Sequence, residues 1–205
     1  HGVVVHELRT DLGERRLGWS ALAEISPALR DTVIAAEDRR FATHHGVDWR
    51  ALAGAAVGRL AGRPRRGAST ITMQLAALLD PTLAPRHRGR TLRQKWRQMR
   101  TALALERAWS KNEILEAYLN RVAFRGELRG VGAAAAFVFG KAPDGLSAAE
   151  ALVLAALLQN PNAGAEVVRR RASVLAAASA SAIDDELASA AARLEAPALR
   201  RVGAE

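Results

Sequence analysis

The strongest constraint on the fold is an apolar helix that ends in two acids and a turn. Ser26-Pro27 opens it: a serine can cap the first turn, and proline suits a position whose N–H has no helical partner. Leu29, Val33 and Ala36 then share one helical face with Ile34 beside them, so this stretch lies against a core. Glu37 falls one turn beyond Val33 and Ile34, at the edge of that face, and Asp38 is rotated away from it by about 100°. An edge position strips water from a carboxylate. That disfavours ionisation and makes a glutamate a useful proton acceptor near neutral pH. Next come Phe41, His44 and the turn-forming Gly46. Read alone, Glu-Asp-Arg-Arg is the solvated end of a helix.

A second polar segment, Gly67-Ala68-Ser69-Thr70-Ile71-Thr72-Met73-Gln74, reads as a wall facing Glu37. Between the two, residues 51–62 are apolar with scattered Gly and Arg, and Arg63-Pro64-Arg65-Arg66-Gly67 breaks the pattern. Two readings fit: a helix followed by a solvated loop, or a mobile flap over 51–66 whose apolar face touches lipid while its arginines meet phosphate. After a loop over 81–89, a long helix is expected from Thr91 to Arg107. Leu92, Trp96, Met99 and Leu103 are spaced as a core-facing stripe. Arg90, Arg93, Arg97 and Arg100 line one flank, and Lys95 and Gln98 lie one turn apart on the other. Ser110-x-x-Glu113 and Ser147-x-x-Glu150 are capping boxes. Val3–Leu8 and Arg15–Leu17 suggest a small N-terminal β-hairpin. Three glycines over 126–132 require a tight connection.

The chain of 205 residues is long enough for one domain with a substantial core, and two lobes are within its reach. It has no cysteine, so thiolate chemistry and disulfides are excluded. Its formal charge of +9 suits nucleic acid, anionic lipid or a phosphate-bearing substrate. One Tyr and four Phe offer little stacking surface for single strands, so no nucleic-acid partner is expected. No apolar run approaches the roughly 20 residues that span a bilayer.

From Leu22 to Asn162 the chain resembles the peptidoglycan glycosyltransferase domain of class A penicillin-binding proteins, glycosyltransferase family 51. Five motifs stand in family order. They are Glu37-Asp38-x-x-Phe41-x-x-His44-x-Gly46, then Gly67 to Gln74, then Lys95-x-x-Gln98 with Glu106 closing the helix. Ser110-Lys111-Asn112-Glu113-Ile114-Leu115-Glu116-Ala117-Tyr118-Leu119-Asn120 follows, and last Gly130-Val131-Gly132-Ala133-Ala134 through Phe139-Gly140-Lys141. Met73, Leu79-Asp80-Pro81 and Gln98 are most similar to the 1C branch.

The resemblance implies a mainly α, lysozyme-like, two-lobed domain over 1–165, with peripheral helices or a linker over 166–205. It implies a membrane anchor before this stretch and a transpeptidase domain after it. The implied activity joins lipid II units into glycan strands at the outer, periplasmic face of the bacterial cytoplasmic membrane, with inversion at the anomeric carbon. The implied partners are lipid II, the growing lipid-linked strand, the membrane surface and other cell-wall synthesis proteins. Glu37 is implied as the base on the acceptor hydroxyl and Lys95 as the cation on the departing pyrophosphate, with Gln98 beside it. Asp38, Phe41, His44, Ser69, Thr70, Gln74 and Asn120 are implied as substrate-side residues, His44 with a structural hydrogen bond and Phe41 with a core position as their simpler readings. A weakly bound Mg²⁺ or Mn²⁺ would bridge phosphate oxygens with Asp38 as its partner. Two departures from the family pattern stand out: Gln98 replaces a carboxylate, and Ala77 replaces a basic residue. They leave open a scaffold that only binds lipid-linked precursors, and a lone Glu also suits a lysozyme-like lytic enzyme.

Overall fold

A computed structural model describes residues 13–62, 67–83, 91–177 and 184–195. The architecture is mainly α with one small hairpin, as a lysozyme-like domain requires. Helix α1 (Pro27–Glu37) begins at proline as expected, but Ser26 does not cap it. Its Oγ instead donates to the Leu146 carbonyl at 2.9 Å, which ties the start of α1 to a distant loop. Helix α2 (Trp49–Leu60) follows the turn, and α3 (Ile71–Leu79) is capped by Thr70, whose side chain accepts from Met73 N. Helix α4 (Leu92–Ala108) opens with a Thr91/Gln94 capping box, and α5 (Lys111–Arg121) with the expected Ser110/Glu113 box. Strands β1 (Ala123–Arg125) and β2 (Leu128–Arg129) form an antiparallel pair, and α6 (Gly130–Ala134) runs on into a wider turn over Ala135–Phe139. Helices α7 (Ala148–Leu158), α8 (Ala165–Ala177) and α9 (Asp184–Ala192) complete the chain order.

Apolar side chains sort into two clusters of unequal size. The larger gathers Leu29 and Val33 of α1, Ile71 and Leu75 of α3, Ile114 and Tyr118 of α5, and most of α7. Helix α7 is apolar all round, so it can only sit inside. Val168, Ala172, Leu187 and Leu194, from the segment expected to be peripheral, join this same cluster. The smaller cluster is Val47, Met73, Met99 and Ala102, with Leu52 and Leu103 against it. Helix α3 therefore faces both cores, and its sides position the polar residues between them.

One expectation needs correcting. Leu92 and Trp96 are not core residues: they are 90% and 57% exposed, and the stripe is buried only from Met99 onward. The first turns of α4 run beyond the small cluster, whose partners from α3 end at Met73. The described hairpin is formed by β1 and β2, and Arg15 joins β2 by a parallel bridge to Leu128. Val3–Leu8, the other arm of the N-terminal hairpin, lies outside the described residues. Glu116 is structural: Oε1 accepts from Trp19 Nε1 and Oε2 from Leu22 N, both at 2.7 Å.

Gly46 explains the glycine of the first motif. Its φ is +86°, and a Cβ there would lie 2.7 Å from the Ala102 carbonyl oxygen of α4. Neither the left-handed backbone nor the helix can yield cheaply. Gly46→Ala is therefore expected to cost about 2 kcal/mol, read as a lower denaturation midpoint in urea; an unchanged midpoint would show that α4 can move aside.

Candidate active site

Glu37 is the last residue of α1 and lies partly buried on the wall of a cleft of about 510 Å³. Arg39, Arg40, Asp48, Ser69 and Thr70 also line that cleft. Glu37 Oε2 accepts from Gln74 Nε2 at 2.9 Å. Oε1 is buried and has no hydrogen-bond partner among the described residues. Burial is the largest influence on this carboxyl and holds its pKa above the ordinary value; the Gln74 bond pulls it back, and the charge of Asp38 pushes it up again. The group is thus a carboxylate made more basic, with one oxygen held and the other unengaged.

Asp38 turns inward. Its Oδ2 accepts from His44 Nε2 at 2.8 Å and from Ile71 N at 3.0 Å, so it anchors the start of α3, where a negative charge is favoured. His44 is buried with it, as the simpler reading expected. Phe41 is buried too, edge-on to His44, with Lys111 Nζ 4.5 Å from its ring centroid. Lys111 Nζ also donates to the His44 carbonyl at 2.6 Å and to Glu106 Oε1 at 2.7 Å, and Thr72 Oγ1 donates to that same oxygen at 2.6 Å. The turn after α1 is thereby strapped to α3, α4 and α5 at once. Thr70 adds another tie, its Oγ1 donating to the Gly46 carbonyl at 2.6 Å.

Asp38 is the residue expected to partner a divalent cation. One of its oxygens carries two donors, and among the described residues no three His, Cys, Asp or Glu side chains gather as a metal-binding group. Lys95 is half-buried on α4 and Gln98 is fully buried one turn later; neither lines the cleft. Gln98 Nε2 donates to the Met73 carbonyl, while its Oε1 is buried without a hydrogen-bond partner among the described residues. The amide binds α4 to α3, a role in which its N–H matters and a carboxylate would not serve. Asn120 is also elsewhere: Oδ1 accepts from Ser20 N at 2.9 Å, and Nδ2 donates to the Ser20 and Glu116 carbonyls. It secures the incoming chain against α5.

A model described as transglycosylase matches residues 1–180. The chain belongs to the transglycosylase family. It is 43% identical over 143 residues to a biosynthetic peptidoglycan transglycosylase of Pasteurella multocida (strain Pm70), covering 70% of this chain and 56% of that protein. It is 43% identical over 145 residues to a protein of the same name from Rhodospirillum centenum (strain ATCC 51521 / SW), covering 70% of this chain and 60% of that one. To penicillin-binding protein 1C of Escherichia coli (strain K12) it is 46% identical over 142 residues, covering 69% of this chain but 18% of that protein. The chain thus spans less than two thirds of these relatives' own length.

Within this transglycosylase fold, several site residues were not singled out from the sequence. Arg40 and Asp48 pair across the cleft wall, with Arg40 Nε donating to Asp48 Oδ2 at 2.8 Å and a second contact between Arg40 Nη2 and Oδ1. Asp48 Oδ1 also accepts from Ala51 N at 2.9 Å and starts α2. Desolvation opposes ionisation of Asp48, but the Ala51 N–H and the Arg40 guanidinium prevail and hold its carboxyl below the usual range. An aspartate three residues ahead of an apolar helical run is a cap signal that was available. Tyr118 was likewise readable: a lone tyrosine on a buried helical face needs a partner for its hydroxyl.

Proposed function

We propose that this chain is a glycosyltransferase domain that polymerises lipid II into glycan strands, with Glu37 as general base. The carrying observation is the Glu37 carboxylate itself, raised in basicity by burial and set on the wall of a cleft, with one oxygen held by Gln74 and the other without a hydrogen-bond partner among the described residues. The Glu37 carboxylate takes the proton of the acceptor hydroxyl as the hydroxyl oxygen forms a bond to the donor's anomeric carbon. The bond from that carbon to the pyrophosphate oxygen breaks, and attack from the opposite face inverts the linkage. The departing pyrophosphate gathers negative charge, for which Lys95, by the family resemblance, and Arg39, an exposed cation of the cleft, are the candidates.

The same reading places the domain at a membrane, on the periplasmic side. Trp49 and Val57 of α2 are 55% and 65% exposed, and Leu92 and Trp96 add to the apolar surface. With a formal charge of +9, such a surface suits an anionic bilayer interface. Among the described residues no helix is long and apolar enough to cross a membrane. Residues 63–66 of the expected flap lie outside the described residues.

The test is polymerisation of purified lipid II, with finished peptidoglycan as a parallel substrate. Glycan strands from lipid II are expected, and no cleavage of finished peptidoglycan. Binding of lipid II without polymer would favour the scaffold, and release of fragments a lytic enzyme. Lys95→Met keeps the stem and deletes the charge. It should lower turnover by roughly tenfold, less than loss of the base, because a half-buried charge is partly screened by water. A Lys95→Met variant with wild-type turnover would remove Lys95 from the mechanism.

A further inference from the structure

Glu37 accepts from Gln74 Nε2, and Gln74 has a second end. Its Oε1 accepts from the Tyr118 hydroxyl at 3.1 Å, so the order is Tyr118, Gln74, Glu37 across α5, α3 and α1. Tyr118 has no exposed surface. Burial, then the negative charge of Glu37, push its phenol well above the ordinary value, so it keeps its proton and stays a donor. The orientation of the amide matters because its two ends are chemically opposite. An ionised carboxylate can only accept, so an amide turned by 180° would set oxygen against oxygen. Among the described residues the Gln74 NH₂ is the one hydrogen-bond donor to Glu37.

We propose that Tyr118 is a positioning residue for the reaction: its hydroxyl holds the Gln74 amide with the NH₂ toward Glu37, fixing Oε2 and with it the set of the carboxylate that acts as base. Tyr118 touches neither the cleft nor the reacting atoms and acts through Gln74. This rests on Glu37 being the base, and the experiment separates the two ideas.

Tyr118→Phe removes one oxygen and keeps the ring that packs in the core. In the whole chain, NMR of the Gln74 side-chain amide reads the orientation without any activity. Solvent exchange of its two protons is expected to quicken about fivefold in the variant, the worth of one neutral hydrogen bond. In the wild type the Tyr118 hydroxyl proton should exchange slowly enough to show a contact with Gln74, which tests the bond even if the variant is poorly folded. On lipid II, the variant should lose turnover by about fivefold with KM unchanged. The same substitution in a Gln74→Leu background should then lose nothing more, because the residue it acts through is gone. An unchanged Gln74 exchange rate overturns the proposal, as does the same fivefold loss in the Gln74→Leu background. If the wild type polymerises nothing while the Gln74 exchange responds as expected, the bond stands and the reading of Glu37 as base is what fails.

Discussion

Glu37→Gln is expected to slow lipid II polymerisation by roughly 10²-fold or more while leaving the fold at least as stable as the wild type. The glutamine keeps the size of the side chain, and its amide oxygen can still accept from Gln74 Nε2, but it cannot take a proton. The stability sign follows from burial. The folded chain holds the Glu37 proton more tightly than the unfolded chain does. Between the ordinary carboxyl value and the raised one, the folded state therefore binds the extra proton, and stability falls as pH rises through that window. Above it the ionised, partly buried carboxylate is a standing cost that the variant's neutral amide lacks. Thermal melts should thus favour Glu37→Gln at pH 8, with the advantage gone below the ordinary carboxyl range. A variant that polymerises at near wild-type rate, or that melts lower at pH 8 than at acid pH relative to wild type, would contradict the assignment.

Lys111→Met is expected to have the largest effect on stability, about 3 kcal/mol. The ammonium is held by the Glu106 carboxylate, the His44 carbonyl and the face of Phe41. Glu106 has only 5% of its side chain exposed, so removing its partner leaves a charge in the interior with one hydroxyl, Thr72, for company. The first motif would lose its strap to α5 at the same time. At this chain length the cost corresponds to a melting point lower by roughly 6–12 °C. Adding Glu106→Gln should restore part of the loss, since the pair is coupled through direct contact. A loss under about 0.5 kcal/mol would show the pair to be no better than a surface salt bridge.

The helical framework was legible because its signals are local. Pro27, the Ser110 and Ser147 boxes and the apolar periodicity of α1 each act within one or two turns. Glu37 was legible for the same reason: its edge position follows from Val33 and Ile34 one turn earlier. What stayed hidden depends on long-range partners. Ser26 bonds Leu146 rather than its own helix, Asn120 bonds Ser20, and Gln98 meets Met73 across 25 positions. Leu92 and Trp96 have the right spacing for a core, but periodicity does not say where the neighbouring cluster stops. Spacing within α4 set Lys95 and Gln98 apart from the arginines, while the use of the Gln98 amide in packing became visible only with α3 in place. The chain from Tyr118 through Gln74 to Glu37 joins three helices, and no local pattern announces it.

The most direct measurement follows the Glu37 carboxyl carbon by NMR across a pH titration, alongside the polymerisation rate at each pH. The expected result is a Glu37 midpoint above the ordinary carboxyl value, with the acid limb of the rate following that midpoint. A Glu37 midpoint at or below the ordinary value, or an acid limb that tracks some other group, would contradict the claim that this carboxylate is the base.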